Sequence, residues 1–210
     1  VLLELCFDQM VKRFSQVLFV PGNHDLWTIR DSNFSSSFKK FEHICLMAKD
    51  ANVSMSPLKC GVVSIVPLLS WYDYSFGDPS EHLLQVWMDF KSCKWGDNVK
   101  CADVNNYFLD KNLAFLKTKN ETIITFSHFL PRIDVMPSFI PTSMRYIYPV
   151  LGSALIDIQV RQLSSNIHVY GHSHVNRDVT LGNVRYINNA YGYPSEEHIA
   201  SKSLRCIYEE

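Results

Sequence analysis

Residues 17–25 read VLFVPGNHD, a short apolar run followed at once by a turn that carries asparagine, histidine and aspartate. The same arrangement returns twice, because residues 123–128 read IITFSH and residues 168–174 read HVYGHSH. Short apolar runs bounded by turn residues are typical of buried strands. In α/β sheets, ligands bind outside the carboxyl ends of the strands, so we expect the three turns to meet at one edge. Four of the eight histidines fall in these turns, which is the pattern of a metal site.

The rest of the chain alternates helix-like and strand-like stretches, which predicts an α/β fold. Helices are predicted over residues 3–14, 35–50, 103–118 and 152–163. Strands are predicted over residues 16–20, 62–66, 122–126, 167–170, 178–181 and 184–187. Residues 70–101 are aromatic and punctuated by Gly and Pro, which predicts a long connection with a short helix near residues 81–91. This connection is expected to pack on the core, with the wall of a substrate pocket as the alternative. Because no repeat or linker divides the chain, residues 1–210 are interpreted as a single domain.

Composition excludes two classes of partner. Lys and Arg number 20 against 21 Asp and Glu, so the net charge of −1 gives no basic field for nucleic acid as the main partner. The longest apolar run, residues 61–69, contains Ser and Pro and is too short to cross a membrane.

The six cysteines form no C-x-x-C pair, and we expect them to be reduced and mostly buried. That expectation favours a cytoplasmic, or else nuclear, location.

Each histidine turn has a structural explanation when it is taken alone. Asn-His-Asp after Pro-Gly is also a turn that caps the next element, and His128 at a strand end is also a hydrogen-bonding structural residue. Gly-His-Ser-His at residues 171–174 is more specific, since histidines two apart in a turn can point both imidazoles at one region. The three turns together favour the metal site.

With these motifs the sequence resembles the calcineurin-like metallophosphoesterase superfamily. Three of the five motifs of that family are present in order: Gly-Asn-His-Asp at residues 22–25, Ser-His at residues 127–128 and Gly-His-Ser-His at residues 171–174. The resemblance implies a sandwich of two mixed β-sheets flanked by helices. It also implies hydrolysis of a phosphate mono- or diester at a two-metal site, in which two cations clamp the phosphate and a bridging water attacks.

The resemblance also implies a role for each histidine in the turns. Asn23, His128 and His172 would be ligands of one metal, and His174 would bind the other. His24 would be the catalytic residue, acting as general acid toward the leaving oxygen or hydrogen-bonding the phosphate.

Two further residues receive minor roles, and the donor set limits the metal. Asp25 would orient the loop without binding metal, and Arg132 would pair with the phosphate, although a solvated surface position is its alternative. Nitrogen and oxygen donors without thiolate favour Mn, Fe or Zn as the divalent ions.

The sequence departs from the family in its two earlier motifs. No Asp-x-His occurs anywhere, and no Gly-Asp-x-x-Asp/Asn precedes Gly22, since the Gly-Asp pairs at residues 77–78 and 96–97 lie downstream. We therefore expect the domain to lack its first strand–helix–strand unit, through truncation, a gene-model error or a natural short form. Two ions are expected in the intact family domain, but one weak ion or none in this chain.

Three functional hypotheses follow from these observations. The first is a phosphatase or phosphodiesterase whose site is incomplete in this chain. The second is a non-catalytic binding domain of the same fold that holds at most one metal. The third is an unrelated His-x-His metal protein of the cupin type, which is all-β, so substantial helix in a circular dichroism spectrum would exclude it. Substrate identity and oligomeric state stay open.

Overall fold

The computed structural model describes residues 2–29, 31 and 33–209 and confirms the α/β class. The α-helices are α1 (Leu2–Val11), α2 (Ser37–Asp50), α3 (Glu81–Val86), α4 (Asp89–Ser92), α5 (Cys101–Asn112) and α6 (Ala154–Gln162). The strands are β1 (Leu58–Cys60), β2 (Val63–Pro67), β3 (Thr122–Phe126), β4 (Ile167–Tyr170), β5 (Arg177–Leu181) and β6 (Val184–Asn188). Short 3₁₀ helices occur at His24–Leu26, Phe115–Lys117, Ile133–Val135 and Thr142–Val150.

The strands form one six-stranded mixed sheet in the order β1-β2-β3-β4-β6-β5. The four central strands β2, β3, β4 and β6 pair parallel to one another, and the edge strands β1 and β5 pair antiparallel to β2 and β6. Parallel pairing places the carboxyl ends of β3 and β4 side by side. Backbone bonds continue past both ends, since Ser127 N donates to Val169 O and Gly171 N donates to His128 O, both at 3.0 Å. The turns that follow β3 and β4 are therefore locked together.

Helices cover one face of the sheet because successive strand residues point to opposite sides. Ile123 of β3 faces the main core, where it joins Phe41 of α2, Phe108 of α5 and Val160 of α6. Ser36 caps α2 by accepting from Lys39 N, and Ser153 caps α6 by accepting from Leu155 N.

The opposite face carries a second, smaller apolar cluster and is less covered. Ile124 packs there with Val63, Ile167 and Ile187. Beside this cluster lies a groove of about 730 Å³, lined by Leu18, Ile65, Phe126, Val169, Ile207 and other residues.

The predicted first strand, residues 16–20, differs most from its expectation. Leu18 forms an isolated bridge with Ser54, through Phe19 N donating to Ser54 O at 2.9 Å and Ser54 N donating to Val17 O at 2.8 Å. This single bridge leaves the segment outside the six-stranded sheet. Where the resemblance implies two sheets, the described residues form one sheet plus this extended segment.

Two other expectations have clear outcomes. The long connection packs on the core, because Trp71 and Tyr72 are fully buried and make edge-to-face contacts with Phe129. The expectation of mostly buried cysteines is wrong. The cysteines are free, and three of them, at positions 6, 60 and 206, are exposed because they lie on the solvent faces of α1, β1 and the C-terminal tail. Among the described residues, no helix is both long and apolar enough to span a membrane.

Candidate metal centre

Three of the predicted ligands converge at the carboxyl edge of the sheet. Asn23 precedes the 3₁₀ turn His24–Leu26, His128 follows β3, and His172 follows β4. The Nε2 atom of His128 lies 3.1 Å from Asn23 Oδ1 and 3.1 Å from His172 Nδ1. His172 sits in the left-handed region (φ 63°), which turns its ring back toward His128.

The hydrogen bond to Val150 assigns the tautomer of His172. Val150 O can only accept a hydrogen bond, so His172 Nε2, 3.0 Å away, carries the proton and leaves Nδ1 as a lone pair. Asn23 Oδ1 is also an acceptor, and His128 Nε2 lies between the two. Burial lowers the pKa of His172 to about 3 and the pKa of His128 well below its usual range, so both rings are neutral near pH 7. Neutral imidazole is the form that binds metals.

These donor atoms fit a divalent cation. Ligands about 2.1 Å from a cation and about 90–110° apart lie roughly 3.0–3.4 Å from one another. Both separations from His128 Nε2, to Asn23 Oδ1 and to His172 Nδ1, are 3.1 Å and agree with that spacing. No group of three or more His, Cys, Asp or Glu side chains is arranged for a metal among the described residues. The converging set consists of two imidazoles and one amide oxygen, so it contains only two side chains of those four types.

His24 and His174 lie near this set but make other contacts. The His24 ring stacks on Trp27 with centroids 4.0 Å apart. Burial lowers the pKa of His24, against opposing effects of Asp89 and Asp25. His174 Nδ1 lies 2.8 Å from Glu196 Oε2, and its ring packs against Tyr193 with centroids 5.0 Å apart.

Asp25 and Arg132 have different surroundings. Asp25 Oδ2 accepts from Gly22 N at 2.8 Å, which closes the loop that carries Asn23. Arg132 is held by Asp134, with Nε and one terminal nitrogen at 2.8 and 2.6 Å from its two oxygens, and contacts Asp157 at 3.4 Å. Its guanidinium is therefore occupied by carboxylates rather than joined to the histidine cluster.

Two residues at the site were not found from the sequence. Asp89 begins α4 and is 2% exposed, with Asn23 Nδ2 donating to both of its carboxylate oxygens at 2.9 and 3.1 Å. Burial raises the pKa of its carboxyl, and bonds from Asn23, Trp27 and Trp87 oppose that effect. Glu196 holds His174 from the C-terminal segment. Neither residue follows a strand, so neither carried a pattern that would have marked it.

Comparisons with known proteins identify the family of this chain. A family model described as calcineurin-like phosphoesterase matches residues 1–176. The acyl-carrier-protein phosphodiesterase PptH of Mycobacterium tuberculosis is 34% identical over 77 residues, which cover 33% of this chain and 24% of that protein. The chain thus matches about a quarter of the length of this relative. The crystal structure of the phosphopantetheinyl hydrolase PptH from the same organism shares the fold, with a TM-score of 0.72 at 20% identity over 91% of this chain and 74% of that chain. The chain therefore belongs to the calcineurin-like phosphoesterase family.

Proposed function

We propose that this chain is a phosphoric ester hydrolase domain whose activity depends on a divalent cation held by Asn23, His128 and His172. The observation that carries the proposal is that Asn23 Oδ1 and His172 Nδ1 both lie 3.1 Å from His128 Nε2. Membership of the calcineurin-like phosphoesterase family supports phosphoester hydrolysis as the reaction.

A cation held by these residues would supply charge to polarise a phosphoryl oxygen and to lower the pKa of a water nucleophile. The side chains of this chain hold that charge and orient the ester around it. His24, adjacent to Asn23 in the same turn, donates a hydrogen bond to the phosphate or a proton to the leaving oxygen. Trp27 holds the His24 ring by stacking, and Asp25 holds the turn through Gly22 N.

A second cation is proposed at His174. Since Glu196 accepts from Nδ1 of this ring, the lone pair on Nε2 is free for a metal, which is the usual carboxylate–histidine–metal arrangement. With it, the site would supply a second positive charge to the phosphate. The nitrogen and oxygen donors favour Mn, Fe or Zn.

The names of the similar proteins indicate which class of substrate to assay first. PptH is named an acyl-carrier-protein phosphodiesterase and a phosphopantetheinyl hydrolase. We accordingly propose a phosphodiester as the substrate, with a phosphopantetheine ester as the first natural compound to assay.

Turnover of bis(p-nitrophenyl) phosphate with added Mn²⁺ tests the proposal. We expect nitrophenolate release that EDTA abolishes and that His128→Ala lowers by about 100-fold or more, since even outer-shell changes at metal sites cost about 10- to 100-fold. His43→Ala is the matched control because His43 is an exposed histidine on α2. Equal rates with and without metal, or full activity of His128→Ala, would contradict the proposal.

A second candidate is a domain that binds one cation without turnover. It is favoured by the distribution of donors, since two lie 3.1 Å from His128 Nε2 whereas His174 has a single carboxylate beside it. Calorimetric binding of one Mn²⁺ per chain, with no hydrolysis of either mono- or diester, would support this candidate over the hydrolase.

We also propose a reducing compartment such as the cytoplasm. The cysteines at positions 6, 60 and 206 are exposed and free. Exposed free thiols persist where glutathione and thioredoxin keep them reduced. Labelling with a thiol reagent in intact cells would test this location.

A further inference from the structure

The carboxylate of Asp89 accepts four hydrogen bonds at the edge of the metal centre. Asn23 Nδ2 donates to its Oδ1 and Oδ2 atoms at 2.9 and 3.1 Å, across 66 residues of sequence. Trp27 Nε1 donates to Oδ1 at 2.6 Å, and Trp87 Nε1 donates to Oδ2 at 2.8 Å. An amide NH₂ and an indole N–H can only donate, so Asp89 must accept all four bonds as a carboxylate.

This arrangement decides which end of the Asn23 amide faces the histidines. The oxygen and nitrogen of an asparagine amide have nearly the same shape, so their placement follows from the neighbouring donors and acceptors. With Nδ2 bound to Asp89, Oδ1 faces His128 Nε2 at 3.1 Å. The flipped amide would set its carbonyl oxygen against the carboxylate and its NH₂ group toward the cation position.

We infer that Asp89 is a positioning residue that holds Asn23 with Oδ1 directed at the cation, and that its negative charge strengthens this ligand from behind. The inference rests on the proposed function, because it concerns the same cation. A charged acceptor behind a ligand polarises the ligand and fixes its orientation, as outer-shell carboxylates do for metal-bound histidines.

Asp89 also connects the two tryptophans to the site histidines. Trp27 stacks on His24 with ring centroids 4.0 Å apart, and Trp87 meets His172 edge-on at 5.9 Å. Because both indoles end on one buried carboxylate, the ligand and the two rings are held as one unit.

The variant Asp89→Asn separates orientation from packing. The amide at position 89 keeps the size of the carboxyl but introduces an NH₂ group, so Asn23 is best satisfied by turning its oxygen toward position 89. That turn removes the ligand from the cation. The double variant Asn23→Asp with Asp89→Asn restores the match, since one oxygen of the carboxylate at 23 accepts from the amide at 89 and the other faces the cation. In both variants one indole N–H meets an NH₂ group, so both should lose thermal stability to a similar extent.

Isothermal calorimetry with Mn²⁺ on the full chain, paired with thermal denaturation, tests the inference. We expect Asp89→Asn to weaken Mn²⁺ binding by about 10- to 100-fold. The double variant should recover most of that loss, although its melting temperature stays as low as that of the single variant. Asp73→Asn is the matched control. Asp73 lies in the same long connection as Asp89, and its carboxylate accepts hydrogen bonds from Ser153 and Asn105 rather than from a cation ligand.

The outcomes distinguish the two proposals. Wild-type affinity in Asp89→Asn, or a double variant as weak as the single one, would overturn the inference and leave the proposed function standing. No Mn²⁺ binding by the wild-type chain would overturn the proposed function and the inference with it. If Asp89→Asn does not fold at the temperature of calorimetry, both variants are measured at a lower temperature at which they are folded, where equal affinities of the single and the double variant would overturn the inference.

Discussion

Gly22 lies directly against the imidazole of His128, and a Cβ atom added at Gly22 would come within 2.6 Å of His128 Cε1 and 2.9 Å of Nε2. The backbone before Asn23 and the ring that follows β3 are therefore in contact. Only a residue without a side chain permits that approach. The glycine of the first turn thus sets where the histidine of the second turn can lie.

Gly22→Ala should displace His128 and weaken the cation site. We expect Mn²⁺ affinity to fall by about 10-fold or more, because an ångström-scale shift of one ligand spoils the shared geometry. Calorimetry gives the affinity, and circular dichroism checks that the helices are retained. Gly171→Ala is a milder variant for comparison, since its Cβ would meet His128 O at 3.4 Å. Its loss of Mn²⁺ affinity should be smaller than that of Gly22→Ala. Equal affinities of Gly22→Ala and the wild type would show that His128 does not need this position to bind.

His168 predicts how stability depends on pH without involving the cation site. This residue of β4 is fully buried between Thr125 Oγ1 at 2.8 Å and Ser127 Oγ at 3.1 Å, and burial lowers its pKa to about 3. Below about pH 6.5 this histidine binds a proton in the unfolded chain, whereas in the folded chain it stays neutral until the pH approaches 3. This contribution to stability is therefore complete above pH 6.5 and is lost as the pH falls toward 3, by about 1.4 kcal/mol per pH unit.

Denaturant titrations of metal-free protein at pH 7.5 and 4.5 measure this effect. His168→Gln keeps groups that can bond Thr125 and Ser127 but does not titrate, so its loss of stability between the two pH values should be smaller by about 2–3 kcal/mol. His43→Gln, at an exposed position, should lose as much as the wild type. If the pH dependence of His168→Gln matches the wild type, His168 is not the buried neutral base that the structure shows.

Gly152 predicts a stability defect linked to His172. A Cβ at Gly152 would meet Leu130 O at 2.0 Å, where Leu130 and Gly152 form a parallel bridge. Because Val150 O, two residues earlier, accepts from His172 Nε2, displacing this segment disturbs both the bridge and the ring. We expect Gly152→Ala to lower the free energy of unfolding by roughly 2–4 kcal/mol and to weaken Mn²⁺ binding, as measured by denaturant titration and calorimetry. A variant as stable as the wild type would exclude this contact as a constraint.

The sequence predicted those parts of the fold that depend on local pattern. Thr122–Phe126 and Ile167–Tyr170 have the bounds expected from their apolar runs, and the turns after them carry two of the converging donors. Residues 16–20 have the same local pattern but pair only through Leu18 and Ser54, because sheet membership is set by distant partners. Strand β1, three residues long, is too short to show periodicity.

The residues of the candidate site likewise fall into those that local sequence pattern predicts and those that it does not. Asn23, His128 and His172 were predictable because each directly follows an apolar run. Asp89 and Glu196 were not, since they reach Asn23 and His174 across 66 and 22 residues from stretches without strand pattern. Such residues are identified by their contacts in the folded chain.

The apolar groove beneath the sheet predicts binding of a hydrophobic dye by the native protein. Its lining includes Ile65 of β2, Val169 of β4 and Ile207 of the C-terminal tail, and its volume is about 730 Å³. Accessible apolar surface of this kind binds anilinonaphthalene sulfonate. We expect the native chain to enhance the fluorescence of the dye, and Ile65→Lys to reduce that enhancement about two-fold or more by placing a charge in the groove.

The control for the groove is Ile158→Lys, because Ile158 is 59% exposed on α6, on the helix-covered side of the sheet. Its dye fluorescence should equal that of the wild type. Denaturation curves of both variants ensure that a change in dye binding reflects the groove rather than partial unfolding, which would raise the signal. Fluorescence of the wild-type chain no higher than that of the dye in buffer would mean that the groove is closed in solution. In that case residues other than Ile207 and its neighbours in the tail would also cover Ile65 and Val169.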